Sequence, residues 1–200
     1  MGKTYTSLTP ELREWLAQQR VFFVASAPMA RESHVNCSPK GGDTFRVIGE
    51  GEVAYLDLTG SGIETIAHLQ ENGRIVLMFC AFAGPPKIVR LHGKGRVVYP
   101  DHQDFSGLQS FFNGHVGVRA IIQVILTRIS DSCGHGVPRM EFVEDRELLD
   151  KWFESKGAEG LAEYRSAKNR TSIDDMPGRI WGVMRVIERI VGQSTASLAG

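Results

Sequence analysis

Short runs of alternating apolar and polar side chains dominate the front of this chain, and they predict strands joined by tight turns. Residues 21–27 (VFFVASA) are rich in aromatic and β-branched side chains, and a turn at 29–33 returns them as a hairpin into Val35, Asn36 and Cys37. Residues 45–48 and 53–58 predict the next two strands, around Gly49-Glu50-Gly51. Residues 74–82 and 87–99 form another pair around Gly84-Pro85-Pro86, the second long enough to bend at Gly93 and Gly95. Residues 118–129 are almost continuously apolar through Ala120-Ile121-Ile122 and Val124-Ile125-Leu126. Such a strand is expected to be buried on both faces, by the core and by a second subunit. So many strands leave edges to protect, and a closed or partly closed barrel protects them.

Helical periods interrupt this pattern. Thr9-Pro10 followed by Leu12, Trp15 and Leu16 reads as a capped amphipathic helix over one barrel end, a short helix opens near Ile63, and residues 101–112 make a helical excursion. From Glu144 the period turns helical for good: Leu148, Leu149, Trp152 and Phe153 share a face, and Gly157 and Gly160 punctuate two short helices ending near Asn169. Residues 172–178 form a turn-rich join. An apolar face with Arg179, Arg185 and Arg189 among it follows over 179–192, expected to pack on the barrel or a partner subunit rather than on a membrane. The reading is a barrel domain over 1–145 and a C-terminal helical extension over 146–200.

The chain's 23 Lys plus Arg balance 23 Asp plus Glu, so net charge gives no reason to expect nucleic acid or an anionic membrane as partner. Its start lacks the apolar core of a secretory signal, no run reaches the roughly 18 apolar residues of a membrane span, and the cytoplasm is the default compartment. Cys37, Cys80 and Cys133 are odd in number and contain no C-x-x-C, against a disulfide framework or a structural zinc site. No histidines pair at i, i+4, so no metal site is expected.

Chemistry concentrates in two turns. Thr59-Gly60-Ser61-Gly62 lies between a strand and a helix, where hydroxyls, close backbone and orphan helix N–H groups suit an anion. It lacks the third glycine of a dinucleotide fingerprint and the lysine of a P-loop. Upstream, Asn36-Cys37-Ser38-Pro39-Lys40-Gly41-Gly42-Asp43 ends a strand with a hydroxyl and a cation. Arg90 is a second cation candidate. Near the end of the last strand, Cys133-Gly134-His135-Gly136 sets a thiol and an imidazole two residues apart, and His135 is a candidate proton donor. There is no Ser-His-Asp arrangement.

Together, NCSPKGGD and LTGSGIETIAHLQENGRIVLMF resemble the two phosphate-binding segments of the FMN-binding split-barrel family typified by pyridoxamine 5'-phosphate oxidase. The resemblance continues through GPPKIVRLHGKGRVVYP and covers about residues 10–145, with DSCGHGVPRMEF closing the barrel. It departs from that oxidase where Gly62-Ile63 replaces an Arg-Lys pair, and where the Arg-x-His substrate signature is missing. Oxidation of pyridoxamine phosphate is therefore not expected. What the resemblance implies is a mainly β, α+β split barrel with peripheral helices, and a homodimer with a flavin ring in the cleft between subunits. The FMN phosphate would meet Ser38, Lys40, Thr59, Ser61 and Gly62, with Asn36, Arg90 and Cys133 also near the cofactor. The activity implied is an oxidoreductase acting on a small organic substrate, with reduced nicotinamide as electron source. Alternatives on the same scaffold are a deazaflavin-dependent reductase, or a non-catalytic flavin or haem binder with His68, His92 or His135 as axial ligand.

Overall fold

The computed structural model describes residues 2–179. Eight strands, β1 (Thr4–Tyr5), β2 (Val21–Ser26), β3 (Asn36–Gly41), β4 (Phe45–Gly49), β5 (Glu52–Leu58), β6 (Arg74–Cys80), β7 (Ile88–Val98) and β8 (Val118–Ser132), form one antiparallel sheet. The helices are α1 (Pro10–Ala17), α2 (Glu64–Asn72), α3 (Phe105–Gln109) and α4 (Leu148–Lys168).

Strand order is β3-β2-β6-β7-β8-β5-β4, with β1 added to β8. The two ends of that path, β3 and β4, are consecutive in the chain and joined by residues 42–44 alone, which reach on the order of 10 Å. The sheet must therefore curl until its edges almost meet. No β3–β4 ladder forms, so the barrel is split there. Gly42 (φ 60°) and Asp43 (φ 37°) turn the chain, and the Thr44 hydroxyl donates to the Gly41 carbonyl at 2.8 Å.

Inside the curl, Phe22 stacks on Phe79 and Phe45 meets both at a tilt, with ring centroids 4.9 to 5.5 Å apart, so three strands on both sides of the split share one aromatic cluster. Leu12 and Leu16 of α1 and Ile63, Ile66 and Leu69 at α2 bury into the same core. Thr9 caps α1 through its hydroxyl and Pro10 opens it, as its sequence predicts.

The expectation for β8 holds in part. Both faces of its first half are buried, but within this chain: Ala120, Ile122 and Val124 face the barrel core, while Ile121 packs with Phe105, Leu108 and Phe112 of the α3 region. The excursion at 101–112 supplies the cover that the sequence reading assigned to a second subunit. Further along β8 the outer face opens, with Ile125 53 % exposed, while Ile129 stays buried in the core.

β7 meets β8 with a bulge at His92 and Gly93: these neighbours pair with Arg128 and Leu126, so the extra residue, Thr127, belongs to β8. A Cβ at Gly93 would collide with the Ile125 carbonyl and lie 2.6 Å from Val124 Cγ1. Gly93→Ala should therefore lower the unfolding free energy by about 1–3 kcal/mol, read as a lower urea midpoint, because the two ladders must part.

The extension bends where glycine was expected to break it: Gly157 (φ 61°, ψ 179°) kinks α4. Phe153 is fully buried against Gly117, whose own Cβ would fall 2.6 Å from that ring, so only glycine lets α4 approach the barrel there. Of the predicted 179–192 segment, Arg179 is described and stacks on Tyr99 at 4.0 Å; residues 180–192 lie outside the described residues.

Candidate functional site

The two segments expected to bind an anion meet. Ser38 and Lys40 of β3, Asp57 and Leu58 at the end of β5, Gly60 and Gly62 in the following turn, Glu64 and Thr65 of α2 and Arg119 of β8 enclose a polar niche of about 120 Å³. Lys40, Leu58 and Gly60 also line a neighbouring chamber of about 670 Å³ that runs past Pro39, Gly41 and Gly42 to Arg146, Leu149 and Asp150 of the extension. The topology explains the meeting. β3 borders the split opposite β4, the last residues of β5 run on past the start of β4, and α2 follows β5, its Thr65 bonded to Asn36 of β3.

Asp57 is the electrostatic centre. It is buried in a strand, and Arg119, equally buried, donates from Nε to Asp57 Oδ2 at 2.8 Å while Lys40 Nζ stands 3.6 Å from Oδ1. Arg119 Nη1 also donates to the Gly62 carbonyl (2.8 Å) and to Asn169 Oδ1 (2.9 Å). Asn169 Nδ2 in turn donates to the Gly60 carbonyl at 2.9 Å. Arg165 Nε donates to Thr59 Oγ1 at 2.8 Å, and burial, with Arg119 nearby, lowers the Arg165 pKa. The niche is thus tied to the C-terminal extension by side chains more than 100 residues downstream.

Sequence reasoning missed Asp57, Arg119, Arg165 and Asn169. For the first two a signal existed: an acid inside AYLDL and a base inside VRAII are charges in apolar strands, and a buried charge requires a partner. Arg165 and Asn169 carry no such mark on a helix that is largely polar.

The expected site residues divide. Ser38, Lys40 and Gly62 line the niche, and Ser61 lies between two of its lining residues with its side chain exposed. Asn36 donates from Nδ2 to Thr65 Oγ1 at 2.9 Å and accepts from the Ser38 hydroxyl at 3.2 Å, which braces β3 against the first turn of α2. Thr59 is a correction: its one hydroxyl proton goes to the Gly117 carbonyl at 2.8 Å, so it supports the turn instead of facing an anion as donor.

Arg90, Cys133 and His135 do not join the niche within one chain. Arg90 pairs opposite Ser130 and donates to Ser132 Oγ at 2.9 Å, and Cys133 follows the last residue of β8, whereas Arg119 is that strand's second residue. Cys133 is a free, exposed thiol and His135 is exposed. Gly134 has a structural reason to be glycine, since a Cβ would lie 2.7 Å from the Lys87 nitrogen.

The histidines offered as haem ligands are dispersed over α2, β7 and the segment after β8. His68 is 0 % exposed, with Nδ1 2.9 Å from Ser26 Oγ, so it presents no surface to an axial position. Among the described residues its Nε2 has no partner, and no cluster of three His, Cys, Asp or Glu side chains could hold a metal ion. Burial pulls the His68 pKa below 6.5 despite opposing attraction from Asp174, Glu64 and Glu71, and His92 is lowered by burial and then by Arg128 and Arg90. The unfolded chain therefore binds protons more readily than the fold. Stability should be complete above about pH 6.5 and fall as pH drops from there toward the depressed folded values. Urea midpoints at pH 7.5 and 5.5 check this, and His68→Gln should flatten the slope.

The model of the pyridoxamine 5'-phosphate oxidase family matches residues 8–130. The chain belongs to this family. The chain is 40 % identical over 195 residues to the pyridoxamine 5'-phosphate oxidase family protein ustO of Aspergillus flavus, covering 87 % of this chain and 76 % of that one. A crystal structure of a variant of HupZ from Group A Streptococcus aligns with TM-score 0.51 at 20 % identity, over 62 % of this chain and 99 % of that one. The split barrel deduced from strand order is thus the family's fold. The family match ends at residue 130, so Arg165 and Asn169 lie beyond it.

Proposed function

We propose that this family member binds a flavin through a phosphorylated tail, FMN by preference, and works as an oxidoreductase on a small organic molecule. The observation that carries this reading is the joining of Ser38 and Lys40 with Gly60 and Gly62 around one small polar niche that shares residues with a chamber several times larger. A phosphate suits the first and a planar ring system the second.

The donor set fits a phosphate in a particular way. Formal charges around the niche cancel, Lys40 and Arg119 against Asp57 and Glu64, whose carboxylate lies against Gly62. Attraction then comes from directed donors more than from net charge: the Lys40 ammonium and the backbone N–H groups at the start of α2, which has no side-chain cap, while Ser38, whose hydroxyl proton goes to Asn36 Oδ1, lines the niche. At Gly60 an added Cβ would meet nothing within 4 Å, so it would project into free space that the glycine leaves open beside both cavities.

A bound flavin supplies the hydride and electron transfer itself. Lys40 and Ser38 anchor the tail, Pro39, Gly41 and Gly42 wall one side of the chamber, and Arg146, Leu149 and Asp150 screen it from water. Arg90, Cys133 and His135 serve a cofactor held by a second copy in a homodimer, His135 as proton donor. Their position at the far end of β8 from the niche supports that assignment, as do the exposed apolar side chains of Met140, Phe142 and Val143 just beyond. A reducing compartment, the cytoplasm, suits three free cysteines.

The visible spectrum of the purified protein tests the reading. Oxidised-flavin bands, or their appearance on adding FMN, are expected, followed by anaerobic bleaching with reduced nicotinamide. A protein that takes up no flavin sinks the proposal, a Soret band turns it toward haem, and uptake of a deazaflavin alone turns it toward the reductase.

A further inference from the structure

The C-terminal extension does more than cover the barrel. Asn169 is 0 % exposed, and its amide is oriented without ambiguity: Oδ1 accepts from Arg119, which can only donate, while Nδ2 faces the carbonyls of Gly60 (2.9 Å) and Ser61 (3.4 Å), which can only accept. The Gly62 carbonyl is held by Arg119. Three successive carbonyls of the anion-binding turn are therefore drawn toward one pair of side chains.

The consequence follows from peptide geometry. In a trans peptide the C=O of one residue points opposite to the N–H of the next, and the chain contains no cis bond among the described residues. Holding the carbonyls of Gly60, Ser61 and Gly62 turns the N–H groups of Ser61, Gly62 and Ile63 the other way. Among the described residues, none of these three N–H groups donates to a backbone or side-chain acceptor. The niche against this turn is lined by Ser38, Lys40, Thr65 and Arg119 with the carboxylates of Asp57 and Glu64, and not by Asn169, so the opposed pair is the Gly60 and Ser61 carbonyls on Asn169 and the Ser61 and Gly62 N–H groups. Successive N–H groups converging on one concavity make an anion nest.

We propose that Asn169 is a positioning residue for anion recognition: by clamping the Gly60 and Ser61 carbonyls it presents the turn's N–H groups to the niche, so the extension sets the barrel's affinity for a phosphorylated ligand. The proposal rests on the phosphate-site reading above. It assigns Asn169 no contact with the ligand.

FMN and riboflavin differ only in the phosphate, and inorganic phosphate reports on the turn without any flavin. In the full-length protein, titrated phosphate should move the amide resonances of Ser61, Gly62 and Ile63. Asn169→Asp keeps the acceptor for Arg119 but sets oxygen against the clamped carbonyls. It should abolish those shifts and weaken FMN about tenfold while riboflavin affinity stays within about twofold. Asn169→Ala, which removes the donor without adding charge, should give the same split, with amide signals of the barrel core unchanged in both variants. Equal losses for FMN and riboflavin, or undiminished FMN binding by a folded variant, would overturn the proposal. Phosphate shifts without flavin binding would remove the cofactor reading and leave the clamp standing. Flavin binding without phosphate shifts at these amides would do the reverse.

Discussion

Arg119→Met is expected to lower the unfolding free energy by about 3–5 kcal/mol, the largest effect of any single polar substitution in this chain. The loss is not that of one surface ion pair. Asp57 has almost no solvent exposure, and removing its 2.8 Å partner leaves a carboxylate in the barrel wall with Lys40, at 3.6 Å, and Arg165 as nearby cations. The same change frees the Gly62 carbonyl and Asn169 Oδ1, so two further acceptors lose their donor. A urea titration reads the effect directly. The double variant Asp57→Asn with Arg119→Met should recover most of the loss, since it removes the uncompensated charge as well as its partner. A loss below about 1 kcal/mol in the single variant would mean that the pair is solvated like a surface salt bridge.

Lys40→Ala should weaken FMN binding by about 1.5–3 kcal/mol, one to two decades in Kd, if its ammonium makes a charge-assisted bond to the phosphate. Riboflavin, lacking the phosphate, should bind the variant and the parent alike. Isothermal titration with both ligands provides the measurement. Arg119 still pairs Asp57 in this variant, so the fold should keep a near-parental urea midpoint, and the two substitutions separate a stability effect at Arg119 from the ligand effect expected at Lys40. Unchanged FMN affinity would remove Lys40 from the site.

Much of the architecture could be read from local pattern because local pattern caused it. Thr9 and Pro10 start α1 and Gly157 breaks α4, each for a reason contained in a few neighbouring residues. The two segments around the niche were recognisable for the same reason, since a strand-turn-helix with small residues opens an N-terminus whatever surrounds it. Hydrophobic pattern also said that β8 is buried on both faces. It could not say by what, because a continuous apolar run records burial and not the identity of the cover; α3 fills that role within the chain.

The sequence by itself therefore determined the run of strands and turns, the two glycine- and hydroxyl-bearing segments, and the cation beside them, all properties of residues within about ten positions of one another. Tertiary structure alone decided that Thr59 supports the turn instead of offering its hydroxyl proton to a ligand, that Asp57 and Arg119 form a buried pair, and that Arg165 and Asn169 clamp a turn about 110 residues upstream. Those choices depend on which distant groups the curled sheet and the kinked α4 bring within hydrogen-bond reach. A side chain's type states what it can donate or accept, and only the closed fold states to whom.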